Sequence, residues 1–337
     1  MSHPPPSRKR PVRSPATQYS LTSLMCCVML AVAVIFILAP SLPAAVAAAA
    51  PAATTAITDS SGQQIHVDRP FSRIISLYSA HSENLAVLGC DKELVGIGRE
   101  DDYPPEILGK AKFSYREDAE KFLAATPDLV LVRPMIERSY PELIARLRRA
   151  GVTVVSLQPN SVEEIFAYWR TLGVLVGRVE AAEEMVLSFQ IRLKRLGERV
   201  AVIPEEDRPR VYFEAIHAKN KTFATDSIAM YVLQQAGGIN IAADAPQVRS
   251  TNIADYGKER LLQRGEEVDV FVAQQGRMNP VQLSDIRDEP GFGAIRAVRQ
   301  GRIVLVPEPL VSRPTPRLLD GVEMLQNAFF PDLEAAR

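Results

Sequence analysis

The sequence predicts an α/β protein of two doubly wound lobes joined by one long helix. Three observations carry this expectation. Apolar runs without alternation recur between helical stretches in the first half of the chain. A long segment of helical spacing without strand character follows, and the strand–helix pattern then restarts. Unalternating runs belong to strands covered on both faces, as in parallel sheets, and strands that alternate with helices form βαβ units.

Taken in order, "ITDSSGQQIHVDRP" (57–70) reads as a small hairpin, its polar turn at Ser60–Gln63. "RIISLY" (73–78), "LVGIG" (94–98), "DLVLV" (128–132) and "TVVSL" (153–157) are the covered strands of the first lobe. Between the last two, "SYPELIARLRRAG" (139–151) places Leu143, Ile144 and Leu147 on one helical stripe, with Pro141 near its start and Gly151 at its end. From Val162 to Val202 the spacing is helical throughout, with Met185, Val186, Phe189, Leu193 and Leu196 on one face. A helix over its second part would reach about 35 Å, enough to cross between lobes. "PEEDRP" (204–209) ends it. "RVYFEA" (210–215), "VDVFVA" (268–273) and "RIVLVP" (302–307) are strands again. Helices over 226–238 and 316–330 accompany them, the first capped by Asp226 or Ser227 and stopped by Gly237–Gly238. The resulting division is 57–176 for the N-terminal lobe, 178–203 for the inter-lobe helix and 204–337 for the C-terminal lobe.

Residues 1–50 read as an export signal. Basic "SRKRPVR" precedes the apolar run "LMCCVMLAVAVIFILA", and small residues follow, placing the cut near Ala47. The alternative is an uncleaved anchor, but the run falls short of the ~20 residues that span a bilayer. Cys26 and Cys27 open the run rather than follow it, which argues against lipidation. Cys90 alone would remain, a buried filler in context, so no intrachain disulfide can form. Beyond residue 50 the chain holds 35 basic and 40 acidic residues. Nucleic acid is thereby disfavoured as a partner, because phosphate binding needs a basic face.

Signatures of catalysis are mostly absent. "GIGRED" (96–101) lacks the third glycine of a dinucleotide fingerprint, and no phosphate loop, nucleophile elbow or zinc motif occurs. The polar residues of interest follow strands, where open α/β sheets bind ligands. They are Tyr78, His81 and Glu83 in "YSAHSEN", read as a loop; Arg133 and Arg138; Glu214, His217, Lys219 and Lys221; Gln274, Gln275 and Arg277; and Arg313. Imidazole is a common metal ligand, so His81 with His217 is a candidate metal pair, although their spacing fixes no geometry. The arginines and lysines, if they converge, favour an anionic ligand. Trp169, the single tryptophan, sits in a helix and reads as core. An enzyme remains a rival reading: a two-lobed metallo-hydrolase using His81, Glu83, Glu214 and His217. A scaffold without small ligand is a third.

Several stretches together resemble the periplasmic substrate-binding proteins for iron–siderophores, haem and cobalamin. They are "RIISLYSAHSENLAVLG", "DDYPPEI", "AEKFLAATPDLVLV", "LIARLRRAGVTVVSL", "TFATDSIAMYVLQQAGGINIA" and "SRPTPRLLDGVEML", in family order across 57–330. The resemblance implies two Rossmann-like lobes bridged by one long α-helix, the helical-backbone metal-receptor type. It implies a monomeric, periplasmic, non-enzymatic component of an ABC importer, without a resident cofactor. Its partners would be a permease, that permease's ATPase and a small ligand held between lobes. It places permease docking on Glu120 and Glu259. Tyr78 and His81 depart from the family's small polar segment after the first strand. The expected cleft set is Tyr78, His81, Arg133, Glu214, His217, Lys219, Gln275 and Arg313. The expected cargo is a ferric siderophore or similar anionic metal chelate, with haem, cobalamin or an oxyanion as alternatives. An aromatic-rich cleft, as cobalamin would require, is not expected.

Overall fold

The computed structural model of the chain describes residues 55–249 and 251–331. The export signal, its cut near Ala47 and both of its cysteines lie outside the described residues. Among the described residues no helix is long and apolar enough to cross a membrane.

Strands β1 (Thr55–Thr58) and β2 (Gln64–Val67) form an antiparallel hairpin. Asp59 builds its turn, accepting from the backbone N–H of Ser61 and Gln63 at 2.9 and 3.0 Å. Its second oxygen accepts from the Ser156 N–H at 3.1 Å and so pins the hairpin to the first lobe.

That lobe contains β3 (Ile74–Ser76), α1 (Ser79–Val87), β4 (Leu94–Gly98), β5 (Ala111–Phe113), α2 (Ala119–Ala124) and β6 (Leu129–Val132). It continues through α3 (Pro134–Ser139), α4 (Pro141–Arg149) and β7 (Thr153–Ser156). Its sheet is wholly parallel in the order β5-β4-β3-β6-β7. Ile74, Leu129, Val130 and Leu131 are fully buried, as unalternating runs require.

Two helices follow, α5 (Val162–Val176) and α6 (Val179–Ala201). Ser161 caps α5, and Gly177 ends it with φ 64°, a left-handed conformation that glycine adopts without Cβ strain. The 23-residue α6 is the bridge. Trp169 of α5 lies edge-on to Phe189 of α6, ring centroids 5.2 Å apart. Met185, Val186 and Phe189 join one continuous core that holds Ile74 and Leu129 at one end and Val211 and Val270 at the other. Each such side chain contributes about 1.5–3 kcal/mol by leaving water.

The second lobe contains β8 (Arg210–Ile216), β9 (Lys221–Phe223), α7 (Ile228–Gln235), β10 (Ile239–Asn240), β11 (Ile253–Asp255) and α8 (Lys258–Gln263). After these come β12 (Val270–Gln275), α9 (Leu283–Arg287), α10 (Arg296–Arg299), β13 (Ile303–Pro307), α11 (Glu308–Val311) and α12 (Leu318–Phe329). The sheet order is β11-β9-β8-β12-β13, with β10 beside β8. Strands β8, β12 and β13 are parallel, whereas β9 is antiparallel to both β8 and β11.

The "YSAHSEN" stretch is not a loop. It is the opening of α1, and Ser79 through Leu85 are all buried. Its polarity misleads because these side chains find partners inside the protein, the buried Asn84 Oδ1 alone excepted among them. Ser79 and Ser82 hydroxyls donate to the buried Asp101 carboxylate, and Asn84, His81 and Glu83 are likewise engaged.

Candidate functional site

In both lobes the parallel strands end at one edge, and the loops beyond those edges meet. The contact is carried by the segment 312–317, which leaves α11 and crosses to α1. The Pro314 carbonyl accepts from Asn84 Nδ2 at 3.0 Å and from Trp169 Nε1 at 3.1 Å. Glu83, almost fully buried, takes a two-pronged bond from Arg317, Nε to Oε1 at 2.7 Å and Nη2 to Oε2 at 2.8 Å. Removing one partner of such a pair strands a buried charge, a loss of about 3–5 kcal/mol. Arg313, itself buried, donates to Asp102 at 2.8 Å and lies 4.0 Å from Glu83. Further out, Arg277 pairs with Glu100 at 2.5 Å.

Tyrosines line the first lobe's edge: Tyr78 after β3, Tyr103 after β4, Tyr115 after β5 and Tyr140 beyond β6. Three carry an arginine over the ring. Arg317 lies 3.9 Å from the Tyr103 centroid, Arg133 4.9 Å from that of Tyr78, and Arg116 5.8 Å from that of Tyr115. Tyr115 and Tyr140 stand 4.8 Å apart. Burial raises the Tyr78 phenol pKa, and the charges of Arg133, Arg313 and Glu308 all act on it. Tyr78, Arg133 and Arg313 are therefore brought together, with Glu308 joining from the second lobe.

His81 does not belong to this group. It is fully buried, with Nδ1 2.7 Å from the Tyr168 hydroxyl and Nε2 3.1 Å from the Val132 carbonyl. A carbonyl can only accept, so Nε2 carries the proton and Nδ1 accepts from Tyr168. Asn84 in turn donates to the Tyr168 oxygen at 3.1 Å. Burial lowers the His81 pKa to about 4, against a smaller upward pull from Val132. Neither nitrogen is free to ligate a metal, and expectations of His81 as cleft wall or ligand give way to a neutral core histidine.

His217 sits elsewhere, at the end of β8. Its Nδ1 lies 3.0 Å from an oxygen of the buried Glu214, and its Nε2 is 3.9 Å from Glu289. The Glu214 hydrogen bond raises the His217 pKa, while burial raises that of Glu214. The two histidines are not brought together, which removes the geometry behind the metallo-hydrolase reading. Among the described residues no three His, Cys, Asp or Glu side chains are grouped to hold a metal.

Other expected residues are engaged or turned outward. Gln275 Nε2 donates to the Val281 carbonyl at 2.8 Å and holds its own loop. Gln274 links the Ala215 carbonyl and the Ser312 hydroxyl. Lys219 and Arg138 are exposed, and Lys221 pairs with Asp255 at 2.8 Å. Glu120 and Glu259 are exposed, each the second residue of a six-residue helix, α2 and α8; Glu120 also pairs with Arg146.

Sequence reasoning missed Arg317, Asp102 and three of the rim tyrosines. The recurring "DDY", "FSYR" and "RSYP" after successive strands was the available signal for the tyrosines. Arg317 had no signal, since its partner lies 234 residues away. Two grooves of roughly 370 and 410 Å³ flank α6, one beside Phe166 and Tyr231, the other beside Met185 and Leu319. Neither reaches the rim.

Comparison with known proteins bears on this edge-to-edge arrangement. The sequence model of a family described as "Periplasmic binding protein" matches residues 74–310. An uncharacterized ABC transporter substrate-binding lipoprotein of Bacillus subtilis is 27% identical over 279 residues, 82% of this chain and 85% of its own length. A vitamin B12-binding protein of Vibrio cholerae is 27% identical over 263 residues, 76% of this chain and 88% of its own. Among solved structures, a Staphylococcus epidermidis protein described as a possible iron-binding periplasmic solute-binding protein superposes with a TM-score of 0.66. It is 25% identical, and the match covers 78% of this chain and 100% of that one.

Proposed function

The chain belongs to the periplasmic binding protein family and is the substrate-binding component of an ABC importer, and from that premise we propose that its cargo is an anionic metal chelate with a broad conjugated face. The observation that carries this reading is the row of rim tyrosines with arginines laid over three of them. Aromatic rings and guanidinium planes both stack on conjugated surfaces, and arginine also pairs with carboxylate or phenolate oxygens. Ferric catecholate siderophores and haem have this chemistry. The expectation of an aromatic-poor edge is thus revised, and stacking joins charge as a basis of recognition. Charge alone is the weaker support, because Arg277, Arg313 and Arg317 already face carboxylates. Capture needs no bond making, and one stiff bridging helix allows only modest closure.

A cobalamin reading is favoured by the name of the Vibrio cholerae relative. A corrin would stack on the same tyrosines but brings few anionic groups for Arg133 and Arg313. Native mass spectrometry of the exported protein with its co-purified cargo separates the two. The expected result is one anionic iron chelate per chain, lost in Tyr78→Ala and weakened at least tenfold in Arg133→Ala. A co-purified corrinoid, or bare metal, would sink the proposal.

A further inference from the structure

The arginines of the rim are not equivalent. Arg317 is committed: both prongs rest on the buried Glu83 carboxylate. Arg313 is held differently. Its side chain is only 9% exposed, but its close partner Asp102 is 59% exposed. Displacing Asp102 therefore returns to water a carboxylate that is already more than half exposed, so the cost of the exchange falls on Arg313 alone. Arg313 could not be left alone, because a buried guanidinium requires a counter-charge, and Glu83 at 4.0 Å is already saturated by Arg317.

The loop that carries Asp102 is built for such an exchange. Its middle is fixed: buried Asp101 accepts from the Ser79 hydroxyl at 2.8 Å, from Ser82, and from the Gly98 N–H at 3.2 Å. Its flanks are not: Glu100 and Asp102 both point across to second-lobe arginines, and both are more than half exposed. Side-chain rotation alone would release either arginine without moving the backbone.

We propose that Asp102 is an internal stand-in for an anionic oxygen group of the cargo, holding Arg313 until that group replaces it. This rests on the chelate reading above and deepens it. Arg313 takes one anionic group and Arg133, laid over the Tyr78 ring on the opposite lobe, takes another. Arg317 takes none. Selectivity then has a built-in threshold: a ligand must bind Arg313 better than Asp102 does, so neutral chelates of the same shape gain nothing there.

The test uses sulfate as a probe and arginine side-chain ¹⁵N NMR as the readout, with the Arg313 resonance assigned from its loss in Arg313→Lys. In Asp102→Asn protein sulfate should shift the Arg313 signal saturably, at a concentration about three- to tenfold lower than in the unmodified chain. Equal titration in both proteins overturns the proposal. A calorimetric arm adds haemin, a dicarboxylate, and cyanocobalamin, of zero net charge. Asp102→Asn should tighten haemin about threefold or more and leave cyanocobalamin unchanged; looser or unaltered haemin binding overturns the stand-in role. If sulfate discriminates but neither chelate binds, the cargo class is wrong and the role of Asp102 stands.

Discussion

At the scale of single residues, His81 shows how a polar side chain can be structural. Its ring is buried and neutral, fixed between a hydroxyl that donates and a carbonyl that accepts. Its pKa is about 4 in the folded chain and near 6.5 when unfolded. Between those values the unfolded state binds a proton that the folded state refuses, so stability is complete above pH 6.5 and declines as pH falls toward 4. The loss amounts to about 3 kcal/mol. Asp101 and Glu214, whose pKa values burial raises, act in the opposite sense. The contribution of His81 is therefore read as a difference: urea denaturation from pH 7 to 4 should give a shallower decline in His81→Gln than in the unmodified chain. Parallel declines would refute it. Nothing in "YSAHSEN" distinguishes this state from a wet loop, because the partners Tyr168, Val132 and Arg317 are remote in sequence. Tyr78, Arg133 and Arg313 were legible, because following a covered strand is itself a local signal.

Helices and strands were more legible than side-chain roles. Apolar periodicity marks α4 and α6, and unalternating runs mark β3, β6, β8, β12 and β13. The short strands β5, β9, β10 and β11 were not foreseen, since two or three residues carry no period and depend on neighbours for pairing. The α5–α6 joint contains a feature that spacing cannot reveal. A Cβ at Gly173 would lie 2.6 Å from the Ala182 Cβ and 3.0 Å from the Arg178 carbonyl. Helix contact this close tolerates only glycine. Gly197, in α6, has open space at the same position. Alanine in a helix normally gains about 0.5–1 kcal/mol over glycine. Gly197→Ala should show that gain in urea denaturation, whereas Gly173→Ala should lose about 1–3 kcal/mol through overpacking. Equal gains at both sites would mean that α5 and α6 do not approach as described.

For the whole molecule, the two lobes repeat one plan, and the exposed glutamates Glu120 and Glu259 share in the repeat. Strand β6 lies beside β3 as β12 lies beside β8. Asp128, just before β6, accepts from the Arg73 N–H at 2.9 Å, and Asp269, just before β12, accepts from the Arg210 N–H at 2.8 Å. Each aspartate thus ties down the start of its lobe's first central strand. Ahead of each comes a six-residue helix with a glutamate in second place, Glu120 in α2 and Glu259 in α8. Strand β5 is parallel to its sheet, and β11, antiparallel to β9, runs in the sense of β8. Both helices begin within six residues of these strands' carboxyl ends, so both glutamates lie toward the rim side of their lobes. We propose that a permease receiving cargo from the rim would meet one carboxylate per lobe there. Rim charges of this kind set orientation and encounter more than affinity for cargo. Combining Glu120→Arg with Glu259→Arg should therefore abolish uptake by cells while cargo affinity of the purified protein stays within about twofold. Unchanged uptake would mean that the importer grips another surface. Uptake and affinity falling together would mean instead that the substitutions disturb the cleft.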